Sequence, residues 1–478
     1  MKSIHPYFAN RTAGVLLHVS SLPGGHGIGD FGPSARRFLD WLSTSGWSTW
    51  QVLPIGPLGK GDSPYSSPSS FAIEPLLLSL DDLVAEGLLP RSASRRERSL
   101  RAGRVDYGAT RRFKEPRLRS AWERFVERGG ERRTAYRRFR DRADFWLGDW
   151  CDWATGNRGG NDSYHAFVQF ALDRQWTRLR AEARRRGIRI FGDLPIFVPL
   201  ESADVVGNPG LFQLDADGRP RMVTGVPPDC FSRDGQLWEH PHYRWAAHQR
   251  TGFEWWTRRL EIQFERFDMV RIDHFIGLHH AWHVPAGSRN ARKGSWRRAP
   301  GRRLLEAVHA RLGRPALVAE DLGAVTPAVI GLRDDFGLPG MSILQNAFGR
   351  DDDPGLPHHV AEHSVIYTGT HDNDTTRGWW NGLSAADRRR AAEYAGATSD
   401  DPARALVRCA MASRARTAIT PMQDLLGLGR AARMNIPGKA TGNWRWRLEE
   451  GMLRKRDAHR MRRLAAVTGR LDGRVPKP

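Results

Sequence analysis

The sequence predicts a (β/α)8 barrel with helical and loop insertions on the carboxyl side of its strands, and three observations predict it. Apolar runs too short for helices recur along the chain, helical patterns separate them, and three of the runs end in polar islands that each carry a carboxylate. The islands are Arg271-Ile272-Asp273-His274, Ala319-Glu320-Asp321-Leu322-Gly323 and Gly369-Thr370-His371-Asp372-Asn373-Asp374. Barrels of repeated β-α units place their chemistry at the carboxyl ends of the strands, so the three acids are expected in one site.

Taken in order, the first strand is expected over Ala13 to Val19, before a Gly-rich loop and a helix from about Ser34 to Ser45. The second strand covers Trp50 to Pro54, and the third opens at Ile188 and ends in Gly192-Asp193-Leu194-Pro195. Strand four ends at the Arg271 island. Strands five to eight follow as Ala316 to Ala319, Gly340 to Leu344, Val365 to Thr368 and Ala418 to Met422. A single catalytic domain over 1–478 is therefore expected. A mainly helical insertion at about 75–165 interrupts it, as do covering loops at about 200–245 and 280–300 and a helical excursion at about 375–415.

Of the 478 residues 40% are hydrophobic, enough for a core, and 18 are Trp, a residue that serves both cores and sugar-stacking surfaces. The formal charge of +21 raises nucleic acid as a partner. Its densest runs are interleaved with acids in helical patterns, which favours solvated helix faces and no nucleic-acid role. Cys151, Cys230 and Cys409 form no CxxC pair, so neither a disulfide framework nor a zinc site is indicated. The N-terminal residues lack a signal-peptide core and no run reaches the ~18 apolar residues of a membrane span, which points to the cytoplasm and no membrane role.

Two motifs invite other readings. Gly27-Ile28-Gly29-Asp30-Phe31-Gly32 satisfies GxGxxG, but seven residues separate it from the first strand and no acid ends the second, so a tight, exposed turn is expected instead of a dinucleotide site. His279, His280 and His283 form HHxxH, yet Gly277 and Pro285 argue against the helix that metal ligation would need; polar loop residues near the cleft are expected, with no metal and no cofactor.

A lone acid at a strand end is usually a cap or an ion-pair partner. Three together, each beside another polar group (Arg271, Asp321, His371), suggest work on glycosidic bonds. With Ser20-Ser21-Leu22-Pro23, Asp62-Ser63-Pro64-Tyr65, Gly192-Asp193-Leu194-Pro195-Ile196, Gly225-Val226-Pro227-Pro228-Asp229, Arg433-Met434-Asn435 and Gly442-Asn443-Trp444, these islands make the chain resemble the amylomaltase family. Its members are 4-alpha-glucanotransferases, or disproportionating enzymes, related to the alpha-amylases. The likeness runs along nearly the whole chain.

The resemblance implies retaining transfer of an α-1,4-glucan segment between maltodextrins, with Asp273 as nucleophile, Glu320 as acid/base and Asp372 as the acid that steadies the distorted sugar. Arg271, two residues before Asp273, shares its side of the strand and would keep it ionised. His371, Tyr65, Asp229 and Trp238 are implied as substrate-binding, with Phe348 bordering an acceptor subsite and Tyr107 as a remote glucan contact. The implied partners are maltooligosaccharides, amylose, and glycogen or starch. A hydrolase using the same acids is the near alternative; a polyanion-binding relic barrel is the distant one. Cys230, Asn346 and Ile73-Glu74 depart from the family's usual residues, which leaves acceptor preference open.

Overall fold

The computed structural model describes residues 4–95, 97, 100, 103–228, 232–398 and 401–471. Its strands in chain order are β1 (Thr12–Leu16), β2 (Thr49–Gln51), β3 (Arg189–Leu194), β4 (Met222–Val226), β5 (Gln236–Pro241), β6 (Met269–Ile272), β7 (His280–Pro285), β8 (Ser295–Arg298), β9 (Leu317–Ala319), β10 (Gly340–Ile343), β11 (Ser364–Tyr367) and β12 (Thr417–Pro421). Eight of them form a parallel sheet ordered β10-β11-β12-β1-β2-β3-β6-β9. The Ala319 N–H donates to Pro339 O at 2.9 Å, just before β10, and joins the two ends into a barrel.

Every residue of β1, β2, β3, β6, β9, β11 and β12 is buried, as expected for a parallel sheet covered on both faces. The helices include α1 (Pro33–Ser45), α2 (Tyr107–Glu127), α3 (Thr134–Arg158), α4 (Asp162–Arg185), α5 (Glu254–Arg266), α6 (Gly301–Leu312), α7 (Pro327–Asp335), α8 (Pro402–Ala412) and α9 (Lys455–Val467). Between β10 and β11 there is no α-helix, only the 3-10 turn Leu344–Asn346. No helix among the described residues is long and apolar enough to cross a membrane.

The helical region after β2 docks through a buried polar seam. Gln169 on α4 grips both backbone groups of Ile73, at 2.8 and 2.9 Å, and Glu74 accepts from Leu58 N at 2.9 Å and Leu76 N at 3.1 Å. Ile73 and Glu74 are thus fixed to this region and not to the cleft.

The glycine loop is not the exposed turn its sequence suggests. Ile28, Asp30 and Phe31 are buried, and a Cβ on Gly29 would lie 2.0 Å from Val19 O. Lys114 from α2 reaches into this loop, donating to Leu76 O at 2.7 Å and pairing with Asp30 at 3.4 Å, with its side chain fully enclosed. A buried ammonium needs such a partner because water no longer solvates it.

The region expected as covering loops contains a second sheet, antiparallel and ordered β5-β4-β7-β8. His280 and His283 therefore lie in a strand, not a loop; His283 stacks on His242 with ring centroids 3.3 Å apart, and burial lowers both imidazoles, to about 4 and about 3 respectively. Both rings are neutral at pH 7.

Near the amino ends of β1 and β12, Arg470 is 1% exposed and spends its guanidinium on carbonyls. It donates to Thr12 O at 2.9 Å, Arg416 O at 2.8 Å, Met411 O at 2.7 Å and Ala415 O at 2.7 Å. Cys151 and Cys409 are free thiols.

Candidate active site

Asp193 on β3 and Arg271 on β6 are register partners across adjacent strands, so their side chains leave the sheet on the same face. Arg271 Nη1 lies 2.8 Å from each oxygen of Asp193, and its Nη2 lies 2.9 Å from Asp273 Oδ1. The Arg271 side chain is 5% exposed. One guanidinium thus bridges two acids.

Directly after β6 the backbone turns left-handed at His274, φ 50°, a conformation that non-glycine residues rarely adopt. The turn aims the His274 N–H at Glu320, which accepts through Oε2 at 2.6 Å. Glu320 follows β9, and the Phe275 N–H donates to its carbonyl at 3.0 Å. The loops of two neighbouring strands are thereby fastened to each other. The ring of His274 faces the edge of Trp238 at 4.9 Å, which brings β5 of the second sheet over the site.

Asp372 is held from three directions. Asn435 Nδ2 donates to its Oδ1 at 2.6 Å, His371 Nε2 lies 3.3 Å from its Oδ2, and Arg433 donates to its carbonyl at 2.6 Å. Tyr65 stacks on His371 at 4.9 Å and 15°, leans on Trp444 at 5.5 Å, and donates its hydroxyl to Asp193 Oδ2 at 2.8 Å. Burial and the adjacent Asp193 push that phenol's pKa up, so it remains a donor.

These surroundings separate the carboxylates by proton affinity. Burial, reinforced by the charge of Asp273, raises Glu320 to about 8 even though Arg271 and the His274 N–H pull it down. Asp273 is also raised by burial, to about 6, because Arg271 offsets only part of the desolvation and Asp193 adds repulsion. Arg271 therefore moderates the rise and leaves Asp273 mainly ionised at pH 7. At Asp372 burial again favours the neutral form, but His371 and Asn435 outweigh it and hold the carboxyl below the usual range. At pH 7 Glu320 is thus mainly protonated, while Asp273 and Asp372 are mainly carboxylates.

Of the residues singled out in the sequence, Asp273, Glu320, Asp372, Arg271, His371 and Tyr65 come together, with Trp238 at the edge through His274. Asp229 and Cys230 lie outside the described residues. Tyr107 is not in the cleft: it is 4% exposed and donates its hydroxyl to Trp444 O at 2.7 Å. Phe348 is equally buried, packed between Trp379 and Tyr394, while Asn346 beside it is exposed. Asp193, Asn435 and His274 had no assigned part in the sequence. Each stands inside a quoted string, and for Asp193 the signal was available, a carboxylate at a strand's carboxyl end like the other three.

Among the described residues no group of three or more His, Cys, Asp or Glu is placed to hold a metal ion.

A (β/α)8 barrel whose carboxyl rim gathers carboxylates of split proton affinity defines an enzyme of glycosidic-bond chemistry. Residues 17–162 and 157–453 match the family model described as 4-alpha-glucanotransferase. The 4-alpha-glucanotransferase of Thermus thermophilus is 43% identical over an alignment covering 96% of this chain and 99% of that protein. The chloroplastic/amyloplastic 4-alpha-glucanotransferase of Arabidopsis thaliana is 39% identical, with 97% and 86% covered. Among solved structures, amylomaltase from Streptococcus agalactiae in complex with acarbose superposes with a TM-score of 0.90 at 31% identity, covering 96% of this chain and 99% of that one. The chain belongs to the 4-alpha-glucanotransferase family.

Proposed function

We propose that this enzyme transfers an α-1,4-glucan segment from a donor maltodextrin to the 4-hydroxyl of an acceptor glucan or glucose, with retention, through a covalent glycosyl ester on Asp273. The observation that carries this is the division of proton affinity between Glu320 and Asp273. In the first half-reaction Glu320 gives its proton to the departing glycosidic oxygen while an Asp273 oxygen attacks the anomeric carbon; the C–O bond breaks as the ester forms. In the second, the ionised Glu320 takes the proton of the incoming 4-hydroxyl, whose oxygen displaces Asp273, and both acids return to their starting state. Asp372, held ionised by His371 and Asn435, binds ring hydroxyls and favours the flattened, oxocarbenium-like sugar.

Arg271 and His371 orient these acids. Tyr65, Trp238 and Asp229 serve as substrate-binding groups. Transfer instead of hydrolysis requires that the acceptor subsite be filled and water kept from the ester. The second sheet beside His274 supports that role as a cover over the cleft. Maltooligosaccharides, amylose, and glycogen or starch are the expected glucans, the chain acts as one catalytic domain with insertions, and its site of action is the cytoplasm.

Incubation with maltotriose tests this, following both the oligosaccharide ladder and total reducing ends beside Asp273→Asn and Glu320→Gln. A ladder at constant reducing ends, absent in both variants, is expected. Rising reducing ends would make the enzyme a hydrolase, and a ladder surviving in Asp273→Asn would remove Asp273 from the mechanism.

A further inference from the structure

Between α8, α9 and the turn at 425–428 after β12 lies a cavity of about 610 Å³ that glucan transfer leaves unused. Small-molecule sites commonly span roughly 300–1,000 Å³. Arg404 and Arg408 reach it from α8, with Arg454, Arg456 and Arg463 at or on α9. All five are exposed, and none takes part in an ion pair with a carboxylate among the described residues.

The acids lining the same cavity are already engaged. Asp424 accepts from Thr368 Oγ1 at 2.6 Å and from Thr376 N and Oγ1, each at 2.7 Å. Asp457 pairs with Arg460 at 3.4 Å, and Asp401 caps α8 by accepting from Arg404 N at 3.1 Å. Beside Arg377 the rest of the lining is largely apolar and includes Leu425, Leu428, Met452, Met461 and Leu464. Seven arginines against three aspartates therefore leave net positive charge beside a hydrophobic floor.

Guanidiniums match phosphate oxygens in a planar, two-pronged geometry, and a bound anion would relieve the mutual repulsion of five like charges. Bare phosphate would leave the apolar floor uncovered. We propose that this cavity binds a phosphorylated small molecule with an aromatic or apolar body, of mononucleotide size. Its location gives the ligand access to the catalytic loop, since Asp424 is anchored to Thr368 and Thr376, which flank the segment bearing His371 and Asp372.

Isothermal titration of the full chain with ADP as probe at 0.15 M salt tests the site. One ADP site is expected, weakened at least tenfold by Arg404→Glu with Arg463→Glu. It should be unchanged within twofold by Arg137→Glu with Arg138→Glu, which removes the same charge from exposed positions on α3. Inorganic phosphate should bind at least tenfold more weakly than ADP. Equal loss in both double variants would reduce the effect to net charge and overturn the proposal, as would failure of ADP to bind at millimolar concentration or phosphate matching it. Sedimentation with phosphatidylserine vesicles, lost on changing Arg404 and Arg463 while ADP does not bind, would assign the phosphate chemistry to a lipid surface instead. Thermal melts verify that the variants fold; should the Glu pair unfold, Arg404→Gln with Arg463→Gln takes its place.

Discussion

Asp193 presents both carboxylate oxygens to Arg271 Nη1 at 2.8 Å, across the β3–β6 pairing and with almost no access to solvent. The pair sets how much of the Arg271 charge reaches Asp273. Asp193→Asn would keep the shape and remove the charge. Asp273 would then face an undivided guanidinium, with its pKa lowered and its nucleophilicity reduced. A fall in kcat of order 10²-fold is expected, as small losses of positioning produce, together with an acid limb of the pH profile shifted to lower pH. An unmoved acid limb would mean that Asp193 acts only as a structural support.

The wild-type pH profile follows from the coupled acids. Turnover needs one ionised and one protonated carboxyl, so kcat/KM should be bell-shaped with apparent values near 6 and 8 belonging to the pair. With an α-maltosyl fluoride donor, whose leaving group needs no proton, Glu320→Gln should still form the glycosyl-enzyme and lose the alkaline limb. Persistence of that limb in the variant would assign it to another group.

Glu320 should also make stability fall with rising pH. Folded, it keeps its proton to about 8, against an ordinary glutamate value of 4.5. Its stabilising contribution is therefore complete below 4.5 and is lost as pH rises through 8. Glu320→Gln has no such proton to lose. Its Tm relative to the parent should rise between pH 5 and pH 8.5; a constant difference would show that Glu320 is solvated well enough to ionise without penalty.

Lys114→Ala leaves Asp30 buried with its main counter-charge gone, and urea unfolding should show a loss of about 3–5 kcal/mol. The double change Asp30→Asn with Lys114→Met should recover most of it. If the single change proves neutral, the α2 insertion does not stabilise the barrel through this contact.

How far the sequence revealed the molecule depended on whether the signal was local. All eight barrel strands fell within a few residues of their expected places, because a buried parallel strand is a short apolar run that needs no partner to be recognised. Strand β8, Ser295-Trp296-Arg297-Arg298, has no such run: three of its four residues are exposed, and only its pairing with β7 makes it a strand. Acids at strand ends were legible for the same local reason. Asn435 was not, since it meets Asp372 across 63 residues of chain. Tyr107 and Phe348 show a further limit, because the same aromatic ring can stack on a sugar or fill a core, and only the fold decides which.

Arg470 has a bearing on how the protein is made. Strand β1 pairs with β12, and Thr12 meets Thr417 across 405 residues. At the usual ~5–20 residues per second of synthesis, the free edge of β1 waits roughly 20–80 s for that partner. Arg470, later still, ties Thr12 to Arg416 where those two strands begin. Until β12 leaves the ribosome the nascent chain is an open sheet with two adhesive borders, β1 and β11, so the period of greatest risk for aggregation comes late in synthesis, when the other seven barrel strands are already made.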